Sequence, residues 1–200
     1  ELIQFKPPAS KLYLVGGAVR DLLLQKESRD FDFVCNCDTR AIARSFANEK
    51  KGAFFVLDSE RNTSRVIFYD PPGKRVFVDF ARMHAQGLEA DLEARDFTIN
   101  AMALDLESPE RLIDPLGGAA DLKGKLLRAC STHSFQDDPV RVIRAVRYAV
   151  NLSLTILPDT LAALKPAVPR LVDVSQERNR DELLKVLETG KPEIGLELLQ

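Results

Sequence analysis

The stretch that decides the fold is Leu14-Val15-Gly16-Gly17-Ala18-Val19-Arg20-Asp21, followed by Asp30-Phe31-Asp32. An apolar run ends in two glycines, which predicts a strand and then a turn that lets the backbone approach a ligand. A short helix follows, and a second strand begins with the two acids. Because residues two apart in a strand share a face, Asp30 and Asp32 would direct both carboxylates to one spot, with Phe31 in the core.

These residue types indicate metal-dependent chemistry on a nucleoside triphosphate. Two carboxylates placed so close repel each other unless a cation lies between them. Mg²⁺ prefers such oxygen ligands and keeps positions open for substrate phosphates. The two glycines and Arg20 would provide the place for the polyphosphate. Paired glycines, an Arg-Asp pair and a solvated acidic strand edge are each common, so only their combination in this order is specific.

Length and composition are typical of a globular protein with one large or two modest domains. The chain has 200 residues, of which 45% are hydrophobic and 29% charged,. No apolar run approaches the ~20 residues of a membrane span. No secretory signal precedes residue 11, so we expect a cytoplasmic protein with no membrane partner. The stretch from Pro192 reads as the middle of a helix, so we expect a fragment of something longer.

Charge and cysteine usage narrow the function classes further. A net charge of −2 weighs against extensive RNA contact by this chain, although a local basic groove remains compatible with it,. Three cysteines do not form a disulfide framework,. Cys35 and Cys37 lie in strand phase with Asp32. We expect plain thiols in a reducing compartment, with a Cys-x-Cys metal site as the alternative.

The chain alternates strands and helices first and becomes helical later. The predicted strands are 11–15, 30–35, 53–57, 65–68 and 74–81. The predicted helices are 19–24, 39–49, 137–150, 158–164 and 176–187. Asp70-Pro71-Pro72-Gly73 predicts the turn of a hairpin. We therefore predict an α+β fold, a mixed sheet of about five strands with two helices, followed by a helical part. The boundary would fall near residue 125, giving domains 1–125 and 126–200.

Two acidic or basic positions in apolar surroundings have more than one interpretation. Asp79 sits in an apolar strand, opposite in phase to Val78 and Phe80, as a solvated residue or as a third metal-site carboxylate. Arg95 precedes Asp96, so it is either half of a structural ion pair or a phosphate contact.

The stretch from Asp138 to Arg147 is the second strong feature. Pro139 suits the first turn of a helix with Asp138 as N-cap. Arg141, Arg144 and Arg147 follow at steps of three and form one ridge. That ridge would be a solvated basic face. In the alternative interpretation, Asp138 and Arg141 read base edges and the other arginines bind phosphate.

The motifs together resemble the class II tRNA nucleotidyltransferases, the CCA-adding group that includes bacterial poly(A) polymerases. The resemblance spans nearly the whole chain, in family order. It rests on Gly-Gly-x-Val-Arg-Asp at 16–21, Asp-x-Asp at 30–32, Arg-Asp-Phe-Thr-Ile-Asn-Ala-Met-Ala at 95–103, Asp-Pro-Leu-Gly-Gly at 114–118, the run 137–149 and Glu177-Arg178. One departure is Ala94, where the family often has an arginine before Arg95.

The resemblance implies a polymerase-β-like nucleotidyltransferase head followed by a helical neck. It implies Mg²⁺ at Asp30 and Asp32, which would be the catalytic pair. The implied nucleotide contacts are Gly17, Arg20, Arg95, Asp138, Arg141, Arg144 and Arg147. Of these, Asp138 and Arg141 would read the base.

The implied reaction adds C or A from CTP or ATP to the 3′ end of tRNA with release of pyrophosphate. CCA, CC-only or A-only addition all fit this description. A poly(A) polymerase is one alternative, and a catalytically silent RNA- or nucleotide-binding module is another. The family's helical body and tail domains, which grip tRNA, do not follow the neck in these 200 residues.

Overall fold

The computed structural model describes residues 2–71 and 73–199. Its contacts divide the chain into two compact units. The first unit contains Glu1–Leu92 and Met102–Pro115, and the second contains Glu93–Ala101 and Leu116–Gln200. The placement of segment 93–101 in the second unit differs from a single cut near residue 125. That predicted domain boundary stays a prediction.

The first unit is an α+β structure built on one mixed sheet. Its strands are β1 (Leu12–Val15), β2 (Asp30–Cys35), β3 (Ala53–Asp58), β4 (Thr63–Asp70), β5 (Lys74–Arg82), β6 (Ala103–Asp105) and β7 (Ser108–Ile113). Its helices are α1 (Gly17–Leu23), α2 (Thr39–Lys50) and α3 (Leu88–Glu93), preceded by a 3₁₀ turn at Leu2–Phe5. The turn predicted between β4 and β5 includes Pro72, which lies outside the described residues.

The sheet order is β3-β4-β5-β2-β1-β6-β7. Only β2 and β5 pair in parallel among the described strands of this sheet, and the other neighbours are antiparallel. The β4–β5 hairpin predicted from the sequence is confirmed. The prediction of about five strands was too low, because β6 and β7 extend the sheet on the far side of β1.

One face of this sheet packs against α2 to form the core of the unit. Phe33 of β2 stacks on Phe80 of β5 with ring centroids 5.6 Å apart, and Phe46 of α2 meets Phe80 edge-on at 6.2 Å. The core residues of β2 and β5 alternate along each strand, as period-2 patterning requires,. The side chain of Asp38 accepts a hydrogen bond from the Arg40 amide at 3.0 Å and so caps the N-terminus of α2,.

The second unit is mainly helical. Its helices are α4 (Gly118–Gly124), α5 (Ser134–Asp137), α6 (Arg141–Leu152), α7 (Pro158–Leu164), α8 (Gln176–Leu187) and α9 (Pro192–Leu198). It also contains 3₁₀ segments at Thr98–Asn100 and Lys165–Asp173, and two short parallel strands, β8 (Leu126–Leu127) and β9 (Thr155–Ile156). The part after about residue 125, which was expected to be helical, therefore also contains one two-stranded pair.

Helix α6 is the centre of this unit. Its Ile143 and Val146 pack against the fully buried Val186 of α8. The helix begins later than predicted, at Arg141, and Asp138 is not its side-chain cap. Instead, the Asp138 carbonyl accepts from the Arg141 amide at 3.1 Å, in the i to i+3 pattern of a 3₁₀ turn,.

Across the described residues, no helix combines the length and apolar character that crossing a bilayer requires.

We predict that Phe80→Ala destabilises the first unit by about 3–5 kcal/mol. Phe80 is fully buried between two other rings, so its removal leaves a cavity that neighbouring side chains cannot fill. The measurement is chemical denaturation followed by circular dichroism. Phe55→Ala is the matched control, since Phe55 is 47% exposed on edge strand β3. Equal destabilisation by the two variants would contradict the assignment of this core.

Candidate active-site residues in the two units

The glycine turn between β1 and α1 brings an arginine against the backbone. Gly16 has φ of +75°, a conformation that favours glycine,. A Cβ on Gly17 would lie 3.3 Å from Nη2 of Arg20, so the absence of a side chain leaves room for the guanidinium. Arg20 is 9% exposed, and its Nε donates to Oδ1 of Asp21 at 2.9 Å. The turn therefore presents a cation held beside bare main chain.

The parallel pairing of β2 with β5 brings the acids together on one face. Asp32 lies opposite Asp79 in register, and Phe33 lies opposite Phe80. Phe33 and Phe80 belong to the core, so Asp30, Asp32 and Asp79 share the other face of the sheet,. Asp30 and Asp32 are exposed, while Phe31 packs against the core as predicted. Asp79 points away from the core, which both interpretations of this residue require.

Strand β4 adds a cation that the sequence analysis missed. Arg65 lies directly opposite Asp79 in the antiparallel β4–β5 pair. Its Nε and Nη2 donate to the two carboxylate oxygens of Asp79 at 2.7 and 2.6 Å, a bidentate geometry,. The hydrogen bonds to Asp79 raise the pKa of Arg65 against the effect of burial, and the charges of Asp30 and Asp32 raise it further. Arg65 is therefore a permanent positive charge within this acidic face.

The acidic face has the donor chemistry for a divalent cation. Its carboxylate oxygens are the hard ligands that Mg²⁺ prefers, and Mg²⁺ is commonly held by one or two carboxylates plus substrate phosphates. Within residues 2–71 and 73–199, no cluster of three or more His, Cys, Asp or Glu could hold a metal by itself. Asp30 and Asp32 therefore fit as a partial ligand set that phosphate oxygens and water would complete.

The cysteine alternative receives no support from the structure. Cys35 lies on the core face of β2, and burial raises the pKa of its thiol to about 12. A neutral thiol is a poor metal ligand, because the thiolate is the form that binds. Cys35 and Cys37 are free cysteines.

In the second unit, Asp96 forms a buried ion pair with α6. Its Oδ2 accepts from Nε and Nη2 of Arg144 at 2.9 and 2.6 Å, and its Oδ1 accepts from Asn100 at 3.0 Å. Burial raises the pKa of the Asp96 carboxyl, but Arg144 and these hydrogen bonds outweigh it, so the net shift is downward. Burial likewise lowers the pKa of Arg144, and Asp96 raises it by more. Each group therefore holds the other in its charged form.

Arg141 binds the segment that contains Arg95. Its Nη2 donates to the Ala94 carbonyl at 2.9 Å, and its Nη1 donates to the Arg95 carbonyl at 3.2 Å. Nη1 also lies 2.8 Å from the hydroxyl of Ser134, which accepts from it. Arg141 thus holds main chain in place, while its Nε–H is not used in these bonds. The Arg95 side chain itself is half-buried.

Helix α8 supplies partners to two further predicted residues. Nε of Arg147 donates to Oε2 of the buried Glu182 at 2.7 Å, and its guanidinium lies 4.3 Å from the Tyr148 ring centroid. Nη2 of Arg178 donates to Oδ2 of Asp138 at 2.7 Å. Asp138 retains 26% exposure of its side chain, and its Oδ1 is not used in that bond. The acid predicted to read a base is therefore held by an arginine but still accessible.

The arginine ridge is not a solvated basic face, so that expectation was wrong. The side chains of Arg144 and Arg147 are only 30% and 15% exposed, and both contact acids. Their predicted role in nucleotide binding stays a prediction. Arg65, Glu182 and Arg178 were missed as partners of predicted residues within their own units. Of these three, only Arg65 could have been found from the sequence, because the predicted hairpin places it across from Asp79.

Two family models match the chain. One, described as the poly A polymerase head domain, matches residues 12–128. The other, described as a probable RNA and SrmB-binding site of polymerase A, matches residues 153–200. Together they span most of both units.

Individual relatives and solved structures agree with these models. The CC-adding tRNA nucleotidyltransferase of Geobacter sulfurreducens is 43% identical over 176 residues, which are 88% of this chain and 40% of the relative. The A-adding tRNA nucleotidyltransferase of Deinococcus radiodurans is 40% identical over 199 residues, which cover 97% of this chain and 43% of the relative. A tRNA nucleotidyltransferase solved with a primer tRNA and an incoming ATP analog aligns with a TM-score of 0.81 and 34% identity. The alignment covers 94% of this chain and 56% of that structure's chain. The chain spans less than half the length of those two curated relatives.

We predict that Asp96→Ala lowers the free energy of unfolding of the second unit by about 3 kcal/mol at pH 7, because it leaves the half-buried guanidinium of Arg144 without its main partner,. The folded-state pKa of Asp96 lies below the ordinary value of 3.8. The pair therefore stabilises the unit fully above pH 3.8, and this contribution is lost as the pH falls from there through the folded-state pKa,.

Denaturation curves at pH 7 and at several values below pH 4 measure both effects. The wild type should lose stability in that acid range more steeply than Asp96→Ala. Asp173→Ala is the control, because Asp173 is 60% exposed in an ion pair with Arg170 and should cost about 0.5 kcal/mol or less,. Parallel acid curves for wild type and Asp96→Ala would contradict the prediction.

Proposed function

This chain belongs to the poly(A) polymerase head-domain family, and from that premise we propose that it is the nucleotidyl-transferring part of a tRNA nucleotidyltransferase. The proposed reaction adds C or A from CTP or ATP to the 3′ end of tRNA and releases pyrophosphate. The relatives' names support this choice, since they are CC-adding and A-adding tRNA nucleotidyltransferases. A cytoplasmic location is proposed with it.

The observation that carries the proposal is the acidic face of the first unit. Asp30 and Asp32 are exposed on β2, and Asp79 lies opposite Asp32. Transfer of a nucleotidyl group needs charge stabilisation around an α-phosphate while a 3′-hydroxyl attacks in line and pyrophosphate leaves. Gly17 and Arg20 would bind the triphosphate, since a guanidinium beside bare backbone suits an oxyanion,.

The family uses a divalent metal, and we propose that this metal is Mg²⁺. Asp30 and Asp32 would hold it, with Asp79 as a neighbouring charge. When bound, the metal would activate the attacking hydroxyl and neutralise charge on the leaving phosphates. The protein's own contribution is to hold the two carboxylates on one rigid strand, so that positioning requires little reorganisation.

Base recognition is proposed for Asp138 and Arg141 in the second unit. C and A both present an exocyclic amino donor, at N4 and N6, where U and G present a carbonyl oxygen. An aspartate oxygen accepts from that amino group, and an arginine N–H donates to the adjacent ring acceptor. Oδ1 of Asp138 and Nε–H of Arg141 are the groups not used in their hydrogen bonds to Arg178, Ser134 and the 94–95 main chain.

The remaining predicted contacts have structural roles that are compatible with nucleotide binding. Arg144 and Arg147 would support the site by fixing α6 against Asp96 and Glu182. Arg95 would contact the nucleotide from the segment that Arg141 holds. A poly(A) polymerase remains the alternative enzyme, and a transfer assay with each nucleotide in turn separates it, because such an enzyme would add A and no C.

We predict that Asp30→Asn or Asp32→Asn lowers nucleotidyl transfer by about a hundredfold or more, because each removes a ligand for the metal that stabilises the transition state. Stability should change little, since both carboxylates are exposed and their mutual repulsion is relieved,. Transfer to tRNA lacking its 3′ end, followed on gels, gives the rate. Asp58→Asn serves as control, because this acid caps the turn after β3 and contacts only the exposed Arg61 among the cations that the structure describes near it. Near-normal transfer by either variant would refute the site.

We predict that Asp138→Ala relaxes the preference for CTP and ATP over UTP and GTP by about tenfold or more. Removal of an acceptor that pairs with the amino group removes the penalty for a carbonyl at the same position. Triphosphate affinity should change less, and stability little, because Arg178 is 56% exposed and becomes solvated. Ratios of kcat/KM for the four nucleotides test this, with Asp173→Ala as control. Unchanged ratios with weaker binding of all four would rule out base reading.

A further inference from the structure

We propose that Arg65 is a positioning residue that sets the charge of the acidic face through Asp79, so that the face binds a metal together with a triphosphate rather than a metal alone. This inference rests on the proposed function, because it concerns the same acidic face. It assigns a role to Arg65, and it assigns Asp79 to Arg65 rather than to the metal.

The first step is the geometry of the Arg65–Asp79 pair. The guanidinium engages both oxygens of Asp79 through Nε and Nη2 at 2.7 and 2.6 Å. The Arg65 guanidinium also lies 5.7 Å from the ring centroid of Phe77, which shares the face with Asp79. A planar cation fixed by a bidentate carboxylate and an aromatic ring has little freedom to turn away. Asp79 is therefore oriented toward β4.

The second step concerns which acids are left for a metal. Asp79 lies beside Asp32 in register, yet Asp79 joins no cluster of three potential ligands within residues 2–71 and 73–199. Arg65 competes for both of its oxygens. Asp30 and Asp32, which extend from the same face of β2 and are exposed, are the proposed metal-binding pair.

The third step is the charge balance. Asp30, Asp32, Asp79 and Arg65 together carry two formal negative charges, which match one divalent cation. Without Arg65 the same face would carry three. It would attract a bare cation more strongly and repel the polyanionic triphosphate more strongly. Arg65 is close enough to feel both β2 acids, since their charges stabilise its protonated form.

The test is Mn²⁺ binding to the full-length protein without nucleotide, measured by electron paramagnetic resonance at low salt. Arg65→Gln should bind Mn²⁺ about three- to tenfold more tightly than wild type, and Asp79→Asn more weakly by a similar factor. Arg65→Gln combined with Asp79→Asn restores the formal charge, so its affinity should return to within about twofold of wild type. Arg65→Lys keeps the positive charge but not the bidentate guanidinium, and its Mn²⁺ affinity should also equal that of wild type.

Two other outcomes would overturn the inference. If Asp79 is a direct metal ligand, the double variant will bind Mn²⁺ as weakly as Asp79→Asn. If the positive charge of Arg65 plays no part, Arg65→Lys will behave like Arg65→Gln.

The control is Arg75→Gln, which removes an exposed arginine from the same hairpin and the same face as Asp79. Arg75 reaches the hydroxyl of Tyr69 at 3.3 Å rather than a carboxylate of this site. Its Mn²⁺ affinity should equal that of wild type, and an increase as large as that of Arg65→Gln would overturn the assignment to Arg65.

A second readout separates this inference from the proposed function. The KM for CTP or ATP should rise in Arg65→Gln by about threefold or more, with a smaller change in kcat. Asp32→Asn should lose Mn²⁺ binding. If Asp32→Asn still binds Mn²⁺, both the proposed site and this inference are overturned. If Asp32→Asn loses Mn²⁺ binding but Arg65→Gln binds Mn²⁺ as wild type does, this inference alone is overturned.

Discussion

The register of the parallel β2–β5 pair is the constraint on which the first unit depends. Phe33 and Phe80 stack in the core because they lie opposite each other, and the same register places Asp32 opposite Asp79 on the other face. A slip by one residue would turn every side chain of a strand to the wrong face and bury Asp79 against α2. Burial of an unpaired carboxylate costs several kcal/mol, so the aromatic core and the acidic face enforce the same alignment.

Charge placement in the second unit follows a different rule. On the sheet Asp30 and Asp32 are exposed and Asp79 is held by Arg65, whereas in the helical unit the buried acids Asp96 and Glu182 each have an arginine partner. A buried pair is not a strong source of net stability, because desolvation offsets much of the attraction. The pair does require a defined geometry, however, because the planar guanidinium can donate to a carboxylate in only a few orientations. The Asp96–Arg144 pair therefore fixes how segment 93–101 lies on α6 more than it strengthens the unit.

The sequence predicted those elements whose pattern is local. Strand β2 and helices α7 and α8 were placed at the observed bounds, because period-2 or period-3.6 patterning and flanking turn residues define them,. Strands β6 and β7 were missed, since one has three residues and the other, Ser108–Ile113, carries a proline on the sheet edge,. The 3₁₀ segment Lys165–Asp173 was missed for a similar reason, because its prolines suggest a loop.

The partners of the arginines could not be predicted, because they are distant in sequence. Arg144 and Asp96 are 48 residues apart, and Arg178 and Asp138 are 40 apart. A spacing of three along α6 says only that the side chains share a ridge, and whether water or a carboxylate faces that ridge depends on packing. The distinction matters for the two residues proposed to read a base. Asp138 is bound only through one oxygen to an exposed arginine, whereas Arg141 also holds the Ala94 and Arg95 carbonyls. Loss of Asp138 would therefore affect the proposed recognition alone, while loss of Arg141 would remove the proposed recognition and local structure together.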